Sequence, residues 1–215
     1  LIKLKINKIL LVDDKCPENS VQYLKSKIKK TKKIQFVFLN KNNGVGGATL
    51  KGFKIAKDQG FDILVKFDAD NQHKIKDLTK IIKALKNDKI LFCKGYRNLN
   101  LSNFWIKKMP LIRIIGTNAL TYVSRLITLN FILKDVTFGL FGMKSKLFKK
   151  LNIKSIKKNY FFEQDLIFQI CQRKIKIHQI NSEVSYENET SSLKILKIII
   201  PFTIYNLQNL FRKYL

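Results

Sequence analysis

Short apolar runs and helical spacings of apolar residues alternate along the first 95 residues of the chain. Each run predicts a buried strand, and apolar residues three and four apart predict the helices between the strands. Strands that alternate with helices are typical of βαβ units, so we expect an α/β fold with a mainly parallel sheet and flanking helices. The predicted strands are 9–12, 34–39, 61–67 and 90–93, and the predicted helices are 21–28, 50–60 and 77–85.

The pattern changes after Arg97, where residues 103–130 are largely apolar and helical in spacing. A helix over 160–172 and a strand over 175–180 follow. The last stretch, 193–215, mixes apolar residues with lysines and is too short and too charged to span a bilayer. We expect an amphipathic helix on a membrane surface there, with a helix packed on the protein's own core as the alternative. The predicted domains are therefore 1–190 and a C-terminal amphipathic helix, 191–215.

The net charge limits the classes of molecule that the protein is expected to bind. The chain has 42 basic and 15 acidic residues, for a net charge of +27, and only five of the basic residues are arginine, the rest being lysine. A polyanionic partner would explain the excess, and so would a solvated lysine surface. Proteins that read nucleic acids use arginine and interleaved aromatic residues, and no such stripe occurs here, so we expect no nucleic-acid partner.

The three cysteines, Cys16, Cys93 and Cys171, are scattered and form no C-x-x-C pair. This distribution indicates a reducing compartment without a disulfide framework or a zinc site. We therefore predict a cytoplasmic protein.

Two carboxylates one residue apart, Asp68 and Asp70, lie where predicted strand 61–67 gives way to helix 77–85. Ligands of open α/β sheets bind outside the carboxyl ends of the strands. Two close carboxylates repel each other unless a cation intervenes, and Mg²⁺ or Mn²⁺ with phosphate oxygens in its other positions suits such a pair. The alternative is a solvated pair in an ordinary turn, with Asp70 or Asn71 as helix N-cap.

Two further turns follow predicted strands. The glycine turn at 44–47 is placed to hold phosphates at a helix N-terminus, although a flexible turn explains it equally well. It is not a dinucleotide fingerprint, because the third glycine position is Thr49. Asp13 and Asp14 end the first strand, as an acid pair does in phosphoacceptor receiver domains, but the glycine turn and Asp70 have no place in such a domain.

Taken together, these segments resemble the family-2 glycosyltransferases, which have the GT-A nucleotide-sugar fold. Within that family they are most similar to the branch that makes dolichyl- or polyprenyl-phosphate sugars. The motifs that carry the resemblance run through most of the chain in order. They are V-D-D at 12–14, N-x-G-x-G-G-A at 42–48, D-A-D-N-Q-H at 68–73, G-Y-R at 95–97, D-V-T-F-G at 135–139 and F-E-Q-D-L at 162–166.

The resemblance implies a donor side and an acceptor side. Asp68, Asp70 and Gln72 would hold Mg²⁺ or Mn²⁺ against the diphosphate, with Asp70 also catalytic. Catalytic Glu163 and Asp165 would border the acceptor; they are two apart on a helix, so at most one faces the substrate. The residues implied for the nucleotide and its phosphates are Asp13, Asp14, Asn43, Gly44, Gly47, Asp68, Arg97 and Arg113.

The chain also departs from the family pattern. The family opens with a strand and a Pro/Tyr/Asn/Glu-containing loop that are absent here, so we expect the catalytic domain to be incomplete at its N-terminus. Lys15 and Cys16 stand where a small, Ser/Gly-rich turn is usual, and Phe138 replaces a common Ser.

The resemblance predicts an inverting, metal-dependent enzyme that moves a sugar from a nucleoside-diphosphate sugar to a polyprenyl phosphate. It would act peripherally at the cytoplasmic face of a membrane. Transfer to a saccharide hydroxyl in cell-surface polysaccharide synthesis is the alternative. A hydroxyl acceptor needs a general base, whereas a phosphate acceptor is already ionised and needs cations.

Overall fold

The computed structural model describes residues 1–29, 31–98, 111–184, 204–206 and 208. These ranges contain strands and helices in the alternating order that the sequence predicts. The strands are β1 (Ile9–Asp13), β2 (Ile34–Phe38), β3 (Ile63–Lys66), β4 (Phe92–Tyr96), β5 (Phe141–Lys144) and β6 (Ile177–Asn181). The helices are α1 (Ser20–Lys27), α2 (Gly44–Asp58), α3 (Ile75–Leu85), α4 (Leu111–Thr128), α5 (Ser145–Phe148) and α6 (Phe162–Gln172).

The strands form two sheets that share the helix α2, which packs on both β1 and β3. β1 and β2 pair in parallel, and the second sheet has the order β3-β5-β4-β6. β4 and β6 are parallel, whereas β5 runs antiparallel to both of its neighbours. The α/β fold with a mainly parallel sheet and flanking helices is confirmed. Within the described ranges β1 and β3 do not pair with each other.

Every strand predicted from an apolar run is present, as β1 to β4 and β6. β5 was not predicted, because its sequence Phe-Gly-Met-Lys is not a continuous apolar run. It is nevertheless buried at all four positions, since it lies between β3 and β4 and the helix α3 packs on it. Lys144 ends it with its ammonium 3.0 Å from both Asp62 and Asp88.

The core lies between the second sheet and helices α2 and α6. The α3 helix packs on the other part of that sheet through Leu78, Ile81 and Leu85, all 4% exposed or less. α6 is buried along almost its whole length, so its residues are fixed by contacts on every side. The largest fully buried apolar side chains include Phe92, Phe141, Phe162, Leu133, Leu140, Met143, Leu147, Leu166 and Ile167.

The predicted C-terminal helix, 191–215, lies outside the described residues except for 204–206 and 208. Within that short piece Tyr205 stacks on Phe161 with ring centroids 5.1 Å apart, and Asn206 accepts a hydrogen bond from Gln164 of α6. Across the described ranges, no helix combines the length and apolar character needed to cross a membrane.

A buried ion pair fixes the end of β4 to the turn that leads into β5. Asp135 accepts hydrogen bonds from Nε and Nη2 of Arg97 at 2.6 and 2.9 Å, and both side chains are buried. Burial alone raises the pKa of Asp135, but the Arg97 guanidinium outweighs it and holds that pKa at about 2. Lys94 lies in β4, three residues before Arg97, and is fully buried. Its ammonium donates hydrogen bonds to the carbonyl oxygens of Lys134 and Asp135.

We predict that Asp135→Asn lowers the free energy of unfolding at pH 7 by about 3 kcal/mol, because it leaves a buried guanidinium without its counter-ion. The depressed pKa stabilises the native state above the unfolded-state pKa of about 4, and this contribution disappears as the pH falls towards 2. The variant should therefore lose less stability than the wild type between pH 5 and 2. Urea unfolding at several pH values measures both effects.

Asp58→Asn is the matched control, since Asp58 pairs with Lys54 on the exposed face of α2. We expect little change there, because exposed ion pairs contribute little. Equal effects of the two substitutions would contradict the structural role given to Asp135.

Candidate active site

Three segments meet at the carboxyl end of β3. The strand ends at Lys66, two residues before Asp68. β5 runs antiparallel to β3 with Lys66 opposite Phe141, so Gly139, just before β5, lies beside Asp68. The first turn of α6 brings Glu163 to the same place. The sheet register and the buried α6 helix therefore assemble a site from residues far apart in the chain.

Lys66 is the centre of this group. Its ammonium donates to both carboxylate oxygens of Asp68 at 2.7 Å and to the carbonyl oxygen of Gly139 at 3.2 Å. It also lies 3.5 Å from Oε1 of Glu163. The side chain of Lys66 is 6% exposed, against 32% for that of Asp68, so the buried ammonium is balanced by carboxylates on two sides.

The two carboxylates have opposite pKa shifts. Burial raises the pKa of Asp68, but the His73 hydrogen bond and the Lys66 ammonium together bring it below its ordinary value. Burial also raises the pKa of Glu163, and there the attraction of Lys66 offsets the effect only in part. Asp68 is therefore a fixed anion, while Glu163 is closer to the range of a general acid or base.

Gly139 permits this close approach. A Cβ at that position would lie 2.6 Å from Oδ2 of Asp68 and 2.8 Å from Nζ of Lys66. Any larger residue would therefore displace the ion pair. This explains physically why a glycine ends the D-V-T-F-G motif opposite D-A-D.

His73 lies behind Asp68, with Nε2 3.4 Å from Oδ2. Its ring packs edge-on against Phe67 and Phe138, with centroids 5.7 and 4.8 Å away. Nδ1 is buried and makes no hydrogen bond within the described part of the chain. The last residue of the D-A-D-N-Q-H motif therefore contacts its first aspartate.

Asp70 lies on the outer side of the turn. Its side chain is exposed, and Oδ1 accepts a hydrogen bond from the backbone N–H of Gln72 at 3.1 Å. Asn71 between them has a left-handed backbone, with φ +61°. Asp70 thus points to solvent beside the Lys66–Asp68 pair, and Gln72 is half-buried next to it.

The predicted nucleotide residues fall into a second group. Oδ1 of Asp14 accepts a hydrogen bond from the backbone N–H of Asn43 at 2.7 Å, which ties the end of β1 to the start of α2. Asp13 is buried and accepts a hydrogen bond from the backbone N–H of Cys16 at 2.8 Å. Asp14 and Asn43 are therefore brought together, as the resemblance implies, while Asp13 shapes the turn after β1.

The glycine turn is closed by the protein itself. Gly44 has φ +75°, and the backbone N–H of Gly46 donates to the carbonyl oxygen of Lys158 at 3.0 Å. A Cβ on Gly46 would lie 2.6 Å from the ring of Phe162. These glycines let α2 approach the start of α6, so the Gly46 amide is not available to a phosphate. The glycine at position 46 is therefore explained by the packing of α2 against α6 and not by phosphate binding.

A groove of about 650 Å³ runs beside the turn between α2 and residues 148–158. Asn43 and Gly47 line it, together with apolar side chains and lysines. The Asp68, Asp70 and Glu163 carboxylates are not part of its lining, so we do not place the reacting groups in it. The lysines are Lys41, Lys51, Lys54, Lys57, Lys149, Lys154 and Lys158.

Three other residues predicted for the site are Arg97, Arg113 and Asp165. Arg97 forms a buried pair with Asp135, because a buried carboxylate needs a counter-ion, whereas the resemblance implies that it faces a phosphate. Arg113 is half-buried on α4. Asp165 is 1% exposed and accepts hydrogen bonds from the N–H of Lys157 and the hydroxyl of Tyr205. Of the two α6 carboxylates, Glu163 faces the site and Asp165 stabilises the surrounding chain.

Sequence reasoning missed Lys66. The available signal was a lysine inside an otherwise apolar strand, on the same side of that strand as Leu64, which is buried. The described ranges contain no group of three or more His, Cys, Asp or Glu side chains that could hold a metal ion by itself. A metal at Asp70 would therefore need oxygen ligands from a bound substrate, an arrangement that Mg²⁺ and Mn²⁺ accept.

Comparison with known proteins places these features in a family. The model of glycosyl transferase family 2 matches residues 3–152. The chain is 31% identical over 164 residues to the UDP-N-acetylglucosamine–dolichyl-phosphate N-acetylglucosaminyltransferase of Methanococcus voltae, covering 76% of this chain and 64% of that protein. It is 24% identical over 166 residues to the undecaprenyl-phosphate mannosyltransferase of Micrococcus luteus, covering 76% and 66%. The chain thus spans just under two thirds of these relatives.

Solved structures show the same fold at low sequence identity. Mannosyl-3-phosphoglycerate synthase from Rubrobacter xylanophilus superposes with a TM-score of 0.70 at 14% identity, over 97% of this chain and 64% of that one. Glucosyl-3-phosphoglycerate synthase from Mycobacterium tuberculosis, in complex with Mn²⁺ and UDP-glucose, gives 0.64 at 15% identity, over 95% and 68%. The GT-A fold implied by the sequence motifs is confirmed, and the chain belongs to glycosyltransferase family 2.

Proposed function

We propose that this chain transfers a sugar from a nucleoside-diphosphate sugar to a polyprenyl phosphate at a membrane surface. The observation that carries the proposal is the exposed Asp70, two residues after Asp68, which pairs with the buried Lys66 close to Glu163 at the carboxyl end of β3. The names of the two relatives, which transfer sugars to dolichyl phosphate and undecaprenyl phosphate, support the acceptor class.

The donor's diphosphate would lie beside Asp70, with Asp14 and Asn43 on the nucleoside side. Asp70 fits a divalent metal because its carboxylate is exposed and the remaining ligands can come from the diphosphate. When bound, Mg²⁺ or Mn²⁺ would act as a Lewis acid that stabilises the negative charge of the leaving diphosphate. Gln72, which follows in the same turn, is the further candidate ligand.

For inversion, an acceptor oxygen attacks the anomeric carbon from the side opposite the diphosphate, and the bond to the diphosphate oxygen breaks. A lipid phosphate is already ionised near neutral pH, so it needs no general base. Its requirement is for positioning and for cations that hold it. Arg113 is the candidate cation, since guanidinium grips phosphate in a bidentate manner. Arg97 would act indirectly, by fixing the 133–139 turn through Asp135.

Transfer to a saccharide hydroxyl is the second candidate, and one observation favours it. Glu163 lies in the site with a side chain 13% exposed and with a pKa raised by burial. Such a carboxylate suits the removal of a proton from a hydroxyl acceptor. A hydroxyl acceptor would therefore require Glu163 as a general base, whereas a phosphate acceptor would not.

A membrane partner is supported by the α4 helix, which exposes apolar side chains while its buried face combines Ile114 and Ile127 with three hydroxyl groups. Its inner face buries Thr117, Thr121 and Ser124, whose hydroxyls include acceptors for the N–H of Val136 and the amide of Gln164. Its outer face and the following turn expose apolar side chains. They are Ile115, Tyr122, Leu126, Leu129, Phe131 and Ile132, each at least 45% exposed.

An apolar face of this kind on a strongly basic chain matches the interface of an anionic bilayer. It would bring the site to the lipid acceptor. This surface lies in the described part of the chain, unlike most of the C-terminal stretch from which membrane contact was predicted.

We predict that UDP-N-acetylglucosamine or UDP-glucose binds only with Mn²⁺ or Mg²⁺. Asp70→Asn should weaken binding in the presence of Mn²⁺ by about tenfold or more, because it removes the carboxylate ligand. Titration calorimetry with and without the metal measures this. Asp88→Asn, on an exposed carboxylate beyond α3, is the control and should bind like the wild type. Equal affinity without metal would overturn the metal requirement.

The acceptor prediction separates the two candidate functions. With undecaprenyl phosphate, Arg113→Ala should lose about tenfold or more of the transfer rate, whereas Glu163→Gln should keep a measurable share. Transfer of radiolabelled sugar to the lipid is the assay. Arg173→Ala is the control, since Arg173 binds backbone carbonyls at the opposite end of α6. Absence of lipid transfer, with transfer to an oligosaccharide that Glu163→Gln abolishes, would establish the hydroxyl acceptor instead.

The α4 surface predicts vesicle binding. Leu126→Glu with Phe131→Glu should abolish flotation of the protein with phosphatidylglycerol vesicles, because it places two anions on the apolar face. Tyr23→Glu with Leu24→Glu makes the same change on exposed residues of α1 and should leave flotation intact. Intact flotation of the α4 variant, together with its loss on deletion of 193–215, would move the membrane contact to the C-terminal stretch.

A further inference from the structure

Lys66 occupies the place at Asp68 that the sequence motif suggests for a metal. Both oxygens of the Asp68 carboxylate accept hydrogen bonds from Nζ of Lys66 at 2.7 Å, and Oδ2 also faces His73 at 3.4 Å. A divalent ion bound to either oxygen would sit about 2.1 Å from it, and therefore within about 5 Å of the ammonium. Two cations at that separation in a partly buried site repel strongly.

The surroundings hold the ammonium where it is. The carbonyl oxygen of Gly139 accepts a third hydrogen bond from Nζ at 3.2 Å, and Glu163 completes the shell at 3.5 Å. The missing Cβ of Gly139 leaves the space that the ion pair fills. Departure of Lys66 would leave Asp68 and Glu163 as neighbouring anions without a counter-ion, and close carboxylates disfavour each other's ionised form.

Asp70 differs from Asp68 in each of these respects. It is exposed, it accepts a hydrogen bond from a neutral backbone amide, and it makes no ion pair within the described ranges. The two carboxylates of the D-A-D sequence therefore have different partners: a resident ammonium for Asp68 and an open coordination position for Asp70.

We propose that Lys66 is a positioning residue that serves as the resident cation of Asp68 and Glu163, and so keeps divalent metal off Asp68 and on Asp70. This inference rests on the proposed function, in which a metal binds together with the donor diphosphate. It divides the metal set suggested by the sequence, leaving Asp70 as the ligand and giving Asp68 a different role. That role is to hold Lys66 and, through it, the orientation of Glu163.

The test measures Mn²⁺ binding by electron paramagnetic resonance in the presence of UDP, with no acceptor and no transfer step. Lys66→Met removes the competing ammonium and exposes Asp68, so the apparent Kd for Mn²⁺ should fall about tenfold or more. Lys66→Arg keeps the charge and should restore the wild-type Kd. Lys80→Met is the matched control, because it removes an ammonium 2.8 Å from the buried carboxylate of Asp77 and should leave the Kd unchanged.

A second pair of variants tests the same claim without altering Lys66. Asp68→Asn should keep the Mn²⁺ Kd within about twofold of the wild type, whereas Asp70→Asn should abolish binding. Loss of Mn²⁺ binding in Asp68→Asn, or an unchanged or weaker affinity in folded Lys66→Met, would overturn the proposal. Circular dichroism establishes that each variant is folded.

The outcome also separates this inference from the proposed function. A wild type that binds no Mn²⁺, alongside a Lys66→Met variant that does, would support the role of Lys66 while contradicting metal-dependent donor binding. Absence of Mn²⁺ binding in both would contradict the two proposals together.

Discussion

A buried ammonium between two carboxylates is the interaction on which the site depends. Lys66 lies 2.7 Å from Asp68 and 3.5 Å from Glu163, and its ammonium, which is 6% exposed, would be unfavourable at that depth without a carboxylate partner. The pair needs a backbone that approaches without a side chain, and Gly139 supplies it. The geometry of the site is therefore a consequence of charge neutralisation in a closely packed place, with Asp70 left outside it.

The buried pair of Arg97 and Asp135 supports the Lys66–Asp68 pair through the turn before β5. Arg97 and Asp135 fix the turn that delivers Phe138 and Gly139 to the site, and Arg97 lies over the ring of Phe138 at 5.5 Å. Phe138 in turn packs on His73, which contacts Asp68. The G-Y-R and D-V-T-F-G motifs thus form one structural unit. In this chain Arg97 acts through the turn, because its guanidinium is used by Asp135 and Thr137.

The α4 helix shows how a locally unfavourable pattern becomes consistent in context. Its buried hydroxyls bond to the loop before β5 and to α6, so the polar face is satisfied inside the protein. Ile114 and Ile127 are buried on the same face, while other apolar side chains of α4, such as Ile115 and Leu126, are exposed. The contact with an anionic bilayer proposed above would cover these exposed apolar side chains.

The sequence by itself determined the α/β order, five of the described strands, the position of the Asp68 and Asp70 pair after β3 and the family, which excludes the receiver-domain alternative. These features depend on short-range periodicity and on motifs whose residues are neighbours in the chain. Tertiary structure decided the partners of the charged groups. Lys66 with Glu163, Arg97 with Asp135, and Asp165 with Tyr205 are far apart in the chain. β5 likewise has no apolar run and is buried because β3 and β4 flank it and α3 packs on it. The partners of buried charges and the position of interior strands depend on packing between segments that are distant in the chain. Short-range sequence patterns therefore do not predict them.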